Sequence, residues 1–315
     1  VSEPALTRFA SDVEYYLTLA PRQLPSRYFY DALGSALFEA ICQLPWYGIT
    51  RAEQRLLASH GRDILSRVGG LSTVVELGPG SGEKLAALVS ARAHLPLTLH
   101  LVDVSAAALN LAHRTLSELD DVSVVLHEAT YEAGLLEISA EHRAAGRMLT
   151  LFLGSNIGNF DPPGAQAFLR NIRAALAPGD ALLLGADLAK PERQLLRAYD
   201  DPLGVTAAFN RNLLVRINRE LGADFDVDAF HHRALWNAAA SRVEMHLVSA
   251  CRQRVVVPAA SLDITFAAGE TIWTESSYKF QPDGIVDALD ATGFRRVEQW
   301  MDEADGFALT LVEAM

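Results

Sequence analysis

Residues with the means to do chemistry are densest in LSTVVELGPGSGEK, residues 71–84. Glu76 closes an apolar run suited to a buried strand. Gly78, Gly80 and Gly82 then force a tight turn before EKLAALVSARA, which has helical composition and apolar spacing. A strand that turns over glycines into a helix is the nucleotide-binding corner of a doubly wound sheet. The spacing here is G-x-G-x-G, not the G-x-G-x-x-G of dinucleotide sites, and Pro79 removes a backbone N–H that a pyrophosphate would use. With an acidic residue ahead of the glycines, the turn suits a ligand carrying a cationic aminoacyl arm. A βα turn with no ligand could carry the same glycines, so the reading needs other residues.

Asp103 is one of them. It ends the apolar run LTLHLVD, 25 residues past Gly78, where a carboxylate can accept both hydroxyl protons of a ribose diol. The competing role, capping the next helix, falls more naturally to Ser105. A third apolar run, VSVVLHEA, leads into Thr130 and Tyr131, where an adenine ring would be flanked. A fourth, in RMLTLFLGSNIGNF, is apolar enough for a strand buried on both faces and ends in Gly154, Ser155, Asn156, Gly158 and Asn159. Asp161-Pro162-Pro163 then opens a helix, and ALLLGADLA supplies a fifth strand. In such sheets ligands sit outside the carboxyl ends of the strands, where all these polar residues gather.

The elements that position them fall into two groups. Residues 61–190 alternate strand and helix. Residues 281–315 add a helix ending at Gly293 and a hairpin turning at Asp305-Gly306, which completes a seven-stranded Rossmann-like α/β sheet. Residues 1–60 read as helices joined by aromatic, Pro- and Gly-rich loops. Residues 191–280 read as helices broken at 200–204, then strands. These two stretches are expected to combine as a second, smaller α+β substrate-binding domain. In it, alternation along TIWTESSYKF puts Glu275 and Ser277 on one strand face, able to hold a polar ring with two nitrogens; a solvated strand face is the alternative. Tyr47 and Tyr199 read equally well as core tyrosines or as site residues.

Composition narrows the function. The chain has 315 residues, 50% apolar and 21% charged, with a net charge of −12 and no basic patch, which disfavours nucleic acid. Cys42 and Cys251 make no disulfide framework, no apolar run reaches a membrane span, and no signal segment opens the chain, so a cytoplasmic setting without membrane contact is expected; a monomer is expected alongside, though none of these features sets the oligomeric state. His231-His232 lies in DAFHHRALW, which reads as a helix, where neighbouring side chains diverge. With no HExxH or CxxC, no metal is expected. The hydrolase elbow G-x-S-x-G is absent as well.

The glycine corner resembles the first motif of S-adenosylmethionine-dependent methyltransferases. Over nearly the whole chain, YFYDALGSALFEAI, LPWYGITRAE, VELGPGSGEK, FLGSNIGNF, AYDDPLGVTAAFNRNLL, ADFDVDAF and ETIWTESSYKF resemble the L-histidine Nα-methyltransferases of ergothioneine biosynthesis. The resemblance implies a class I methyltransferase fold. It also implies a donor site for S-adenosyl-L-methionine at Gly78, Gly80, Lys84, Asp103, Thr130, Tyr131, Gly154 and Ser155. For histidine it implies Tyr47, Asn156, Asn159, Tyr199, Glu275 and Ser277, with Glu275 and Ser277 on the imidazole and Asn159 and Tyr199 on the backbone groups. Tyr30 corresponds to a tyrosine near the methylated nitrogen, and Tyr30, Tyr47 and Asn159 are the residues expected around the reacting amine. Two positions depart from the family pattern: Thr130 stands for an expected Asp, and Asn156 for an expected Thr. The implied reaction moves methyl groups to the α-amine of histidine, three times to give hercynine. Two alternatives stand beside it: a same-fold enzyme for another amino acid such as a tryptophan derivative, and a non-catalytic S-adenosylmethionine-binding subunit.

Overall fold

The apolar run ahead of the glycines is the strand Leu71–Leu77, with its last five residues buried. Its neighbours are Leu97–Asp103 on one side and Arg147–Phe152 on the other, both parallel. The computed structural model, which describes residues 3–91, 96–142 and 146–315, places this strand at the centre of a seven-stranded sheet. Across the sheet the order is Phe294–Asp302, Phe307–Ala314, Ala181–Asp187, Arg147–Phe152, Leu71–Leu77, Leu97–Asp103, Val122–Glu128. Phe307–Ala314 is antiparallel to both of its neighbours, and the remaining pairings are parallel. From Leu71–Leu77 the chain first winds outward one way and later the other, so the topological switch point lies beside that strand.

Burial explains the strands. Every residue of Ala181–Asp187 is buried, as expected for a strand covered on both faces, whereas Val122–Glu128 at the sheet edge leaves Val125 and Leu126 exposed. Helices Tyr131–His142, Pro162–Ala175 and Pro282–Asp290 supply Leu135, Ile138, Phe168, Leu169, Ile172, Ile285 and Leu289 to one core cluster with the sheet. Pro162–Ala175 begins as its sequence suggests: Asp161 accepts the Gly164 N–H at 2.9 Å and Pro162 fills the first turn.

Two compact units divide the chain. The sheet unit comprises Ile49–Ala189 and Tyr278–Met315; the other comprises Val1–Gly48 and Lys190–Ser277. Residues 49–60, grouped by the sequence reading with the smaller domain, belong to the helix Gly48–Ser66 and fall in the sheet unit. In the smaller unit, helices Glu3–Thr18, Ala32–Cys42, Glu192–Tyr199 and Val205–Leu221 accompany a four-stranded sheet. Its order is Arg22–Gln23, Thr271–Tyr278, Arg242–Ser249, Phe230–Asn237.

The structure corrects the assignment of DAFHHRALW. His231 and His232 lie on the strand Phe230–Asn237, antiparallel to Arg242–Ser249 with Phe230 opposite Ser249. Pairing across the sheet overrides the local helical composition. On a strand the two imidazoles face opposite sides. Among the described residues no helix is long and apolar enough to cross a membrane.

Candidate active site

The glycine turn sits at the carboxyl end of the central strand. Gly78, Gly80 and Gly82 all have positive φ (+77°, +55° and +77°), and Gly82 leads into the helix Glu83–Ser90. Gly78 donates its N–H to the Val102 carbonyl at 2.9 Å, tying the turn to the next strand. A Cβ at Gly78 would stand 2.8 Å from the Tyr131 hydroxyl, whereas one at Gly80 would meet nothing within 4 Å. The turn is therefore tight on one side and open on the other.

Asp103 ends Leu97–Asp103 as expected, and Ser105 takes the capping role, accepting the Ala108 N–H at 3.3 Å. Asp103 Oδ1 accepts the Ser105 N–H at 2.8 Å. Burial pushes its carboxyl above the usual range, partly opposed by backbone donors at Ser105 and Val104. Tyr131 opens the next helix with its ring edge-on to Phe152, and burial raises its phenol. Thr130 accepts the Ala133 N–H at 3.4 Å, acting as a cap at that helix start.

Beneath the turn lies a charge cluster of which the sequence reading picked out only part. Glu76 is 1% exposed, and burial pushes its carboxyl up to about 8; Lys84 opposes the rise and Glu53 adds to it. Its Oε2 is buried without a hydrogen-bond partner among the described residues. Glu53, fully buried, pairs with Lys84 Nζ at 2.6 Å and accepts the Gly154 N–H at 2.9 and 3.0 Å. Glu53 thus ties the glycine-turn helix to the end of the fourth strand. A signal existed: Glu53 falls on the apolar stripe of its helix with Ile49, Ala52, Leu56 and Leu57.

After the fourth strand the chain turns through Gly154 and Ser155, both at positive φ, into the short helical turn Asn156–Asn159. The Ser155 hydroxyl accepts the Asp187 N–H at 2.9 Å, so that side chain braces the end of the fifth strand. Asp187 also forms a fully buried ion pair with Lys279 at 2.8 Å, another pair the sequence did not reveal. A Cβ at Gly78 would lie 3.5 Å from the Asn156 amide nitrogen, which brings Asn156 to the glycine turn; Asn159 is exposed.

Tyr30, Tyr47, Tyr199, Glu275 and Ser277 belong to the other unit. Tyr199 donates its hydroxyl to Ser277 Oγ at 2.8 Å, and its ring meets Tyr47 edge-on at 6.4 Å. All three are buried, at 5–8% exposure, while Glu275 is half-buried on the same strand face as Ser277. Tyr30, 37% exposed, packs edge-on against Phe38 and Phe209, and Phe38 in turn meets Tyr47. Asp31 holds this segment in place by accepting from Asn212 and Arg219 on the helix Val205–Leu221.

Sheet order, switch point and glycine turn with its acidic strand end define a class I methyltransferase. The model described as "Histidine-specific methyltransferase, SAM-dependent" matches residues 9–314, and the chain belongs to that family. A histidine N-alpha-methyltransferase of Mycolicibacterium smegmatis is 42% identical over 98% of this chain and 96% of its own length. One from Mycobacterium tuberculosis is 44% identical over 95% and 93%. An L-tryptophan methyltransferase of Psilocybe serbica is similar at 27% identity over 93% of this chain and 88% of its own.

Proposed function

We propose that this protein methylates the α-amine of L-histidine with S-adenosyl-L-methionine, carrying it to the trimethylated betaine hercynine in ergothioneine biosynthesis. The observation that carries the reading is the match to a histidine-specific family over residues 9–314, which spans both units.

The donor site fits its ligand. Glu76 Oε2 is buried with no hydrogen-bond partner among the described residues, and an ammonium would supply one. Gly80 leaves open space at the turn, and Asp103 presents a carboxylate to a ribose diol. Gly78, Lys84, Thr130, Tyr131, Gly154 and Ser155 complete the set, with Ser155 acting by bracing the fifth strand and Thr130 serving as a cap in place of an adenine-binding carboxylate. The cofactor supplies a methyl group already activated by a sulfonium.

The chain's remaining task is alignment, which can supply about 7–11 kcal/mol of barrier reduction. Glu275 and Ser277 address the imidazole nitrogens; a carboxylate accepting an imidazole N–H makes a charge-assisted bond. Tyr199 takes an amino-acid backbone group, as does Asn159, and Tyr47 and Asn156 are the remaining histidine positions. Tyr30 offers an aromatic face to the cationic product. With side chain and carboxylate anchored, the amine can gain bulk over successive transfers.

Mass spectrometry of histidine incubated with the protein and cofactor tests the reading: a gain of three methyl groups on the α-nitrogen is expected, and unmodified histidine overturns it. Specificity is tested by kcat/KM of Glu275→Ala. Histidine turnover should fall about 100-fold, on the order of 2–3 kcal/mol, and tryptophan turnover much less. An equal fall for both would place Glu275 outside imidazole recognition.

A further inference from the structure

His232 stands outside the roles assigned above, yet both of its ring nitrogens are engaged in hydrogen bonds. Its Nε2 lies 2.8 Å from the Tyr199 carbonyl and its Nδ1 lies 2.8 Å from Asn210 Nδ2. Asn210 Nδ2 also donates to the His246 carbonyl at 3.1 Å, and Asn210 Oδ1 accepts from the Thr274 hydroxyl at 2.8 Å. Asn210 is fully buried and Thr274 is 2% exposed.

Two backbone carbonyls fix the amide and imidazole protons in this chain of groups, while the single Thr274 hydroxyl proton is shared between Asn210 Oδ1 and the Met245 carbonyl at 3.0 Å. The His246 carbonyl can only accept, so the Asn210 amide nitrogen must face it, which leaves the Asn210 oxygen for Thr274. The second amide proton then points at His232 Nδ1, which must be the acceptor. Nε2 therefore carries the imidazole proton and donates it to the Tyr199 carbonyl. Burial agrees with the neutral ring this requires, since it holds the His232 pKa below its ordinary value.

The path closes on itself. Tyr199 is the last residue of the helix Glu192–Tyr199, where carbonyls lack helical partners, and His232 supplies one. The Tyr199 hydroxyl returns to Ser277, three residues along the same strand from Thr274 and on its opposite face. Tyr199 is thus gripped at its backbone and at its phenol by groups traced to a single strand, the one that carries Glu275.

We propose that His232 is a positioning residue for amino-acid recognition: through Asn210 and Thr274 it fixes Tyr199 against the strand bearing Glu275 and Ser277. This rests on the reading that Tyr199, Glu275 and Ser277 receive the amino acid. The imidazole touches neither substrate nor cofactor; it sets where Tyr199 stands.

The test measures kcat and KM for histidine, together with the cofactor Kd by calorimetry, in wild type and three His232 variants. His232→Phe should raise KM for histidine about tenfold, with the cofactor Kd changed less than about twofold. His232→Gln can still place an N–H on the Tyr199 carbonyl and should restore most of the loss. His232→Asn reaches only the Asn210 side and should not. Thr274→Val, nearly isosteric, breaks the far end of the path and should raise KM about threefold even if the Phe variant fails to fold. Unchanged KM in both Phe and Val variants overturns the inference, as does a Gln variant no better than Phe with cofactor affinity falling in parallel. Wild-type protein that leaves histidine unmethylated overturns the functional reading and this inference with it.

Discussion

Polar groups are buried in opposite ways below the glycine turn of the sheet unit and around Tyr199 in the smaller unit. Below the glycine turn the polar interior holds two ion pairs, Glu53 with Lys84 and Asp187 with Lys279, beside the Glu76 carboxyl, which burial pushes up to about 8 and whose Oε2 has no hydrogen-bond partner among the described residues. In the smaller unit the path around Tyr199 is neutral: imidazole, amide, two hydroxyls and a phenol joined by hydrogen bonds. A buried carboxylate without a partner is costly until a cation meets it, so the first arrangement is completed by its ligand. The second is already hydrogen-bonded within the fold before an amino acid binds. A donor with a fixed positive charge suits the former; a substrate told apart by ring nitrogens suits the latter.

The contrast breaks most visibly where a buried charge loses its partner. Lys279→Met removes the cation beside the enclosed Asp187 side chain and should cost about 3–5 kcal/mol of stability in urea denaturation. Asp187→Leu combined with Lys279→Met should recover at least half of that, because an apolar pair of suitable volume replaces ions at little net cost. A single-variant loss under about 1 kcal/mol would show that this pair behaves as a surface pair does.

pH separates the units through the sign of the slope. Glu76 has a folded pKa of about 8 against an ordinary 4.5, so the native state keeps a proton that the unfolded chain releases. Its contribution to stability is full below pH 4.5 and falls as pH rises toward 8, at up to about 1.4 kcal/mol per pH unit. Glu76→Gln should therefore gain on wild type as pH rises from 5 to 8. His232 is held below its ordinary 6.5, so the unfolded chain takes up a proton that the native state refuses, and stability falls as pH drops through and below that value. His232→Gln should gain on wild type in the acid direction. Denaturation series at several pH values for the three proteins check this; two difference curves of the same sign would remove the contrast.

That contrast also explains what was legible in the sequence. Gly78, Gly80 and Gly82 were visible because a left-handed backbone demands glycine, and Asp103 because it closes an apolar run with Ser105 free to cap. The sheet, including its antiparallel hairpin, followed from strand–helix rhythm. Glu53 is hard to read from sequence because its partners, Lys84 and Gly154, lie far along the chain, although its place on an apolar helix stripe is a sign. Asn210 shows the same sign, sharing the buried face of its helix with Phe209, Leu213, Leu214 and Ile217. His232 was concealed by helical composition, and only sheet pairing sets its direction. Tyr47, Tyr199, Glu275 and Ser277 came from family resemblance, since alternation alone cannot tell a binding face from a wet one.

Within the glycine turn the backbone itself can be graded. Each position pays roughly 1–2 kcal/mol for an L-residue in the left-handed region. At Gly82 an added Cβ would also press on the Ala112 backbone at 3.0–3.1 Å, whereas at Gly80 it enters open space. Gly82→Ala should therefore lower the thermal midpoint more than Gly80→Ala. Gly80→Ala should instead show its effect in cofactor affinity. The reverse order would mean that the turn relaxes and that its openness is not fixed by the fold.

The smallest expected effect addresses the neutral unit alone. Tyr199→Phe removes the hydroxyl that donates to Ser277 at 2.8 Å while keeping the ring against Tyr47. One buried neutral hydrogen bond contributes about 0.5–1.5 kcal/mol, so histidine affinity should fall by about two- to tenfold. Ser277→Ala loses the same bond from the other side. In a double-mutant cycle the paired variant should then cost less than the sum, by about 0.5 kcal/mol or more, because the two residues share one interaction. Cofactor affinity should stay put throughout, since no charge has been moved and the glycine turn is untouched. If Tyr199→Phe weakens the cofactor as much as histidine, Tyr199 serves both ligands, and the contrast between the charged groups below the glycine turn and the neutral path around Tyr199 fails at the centre of that path.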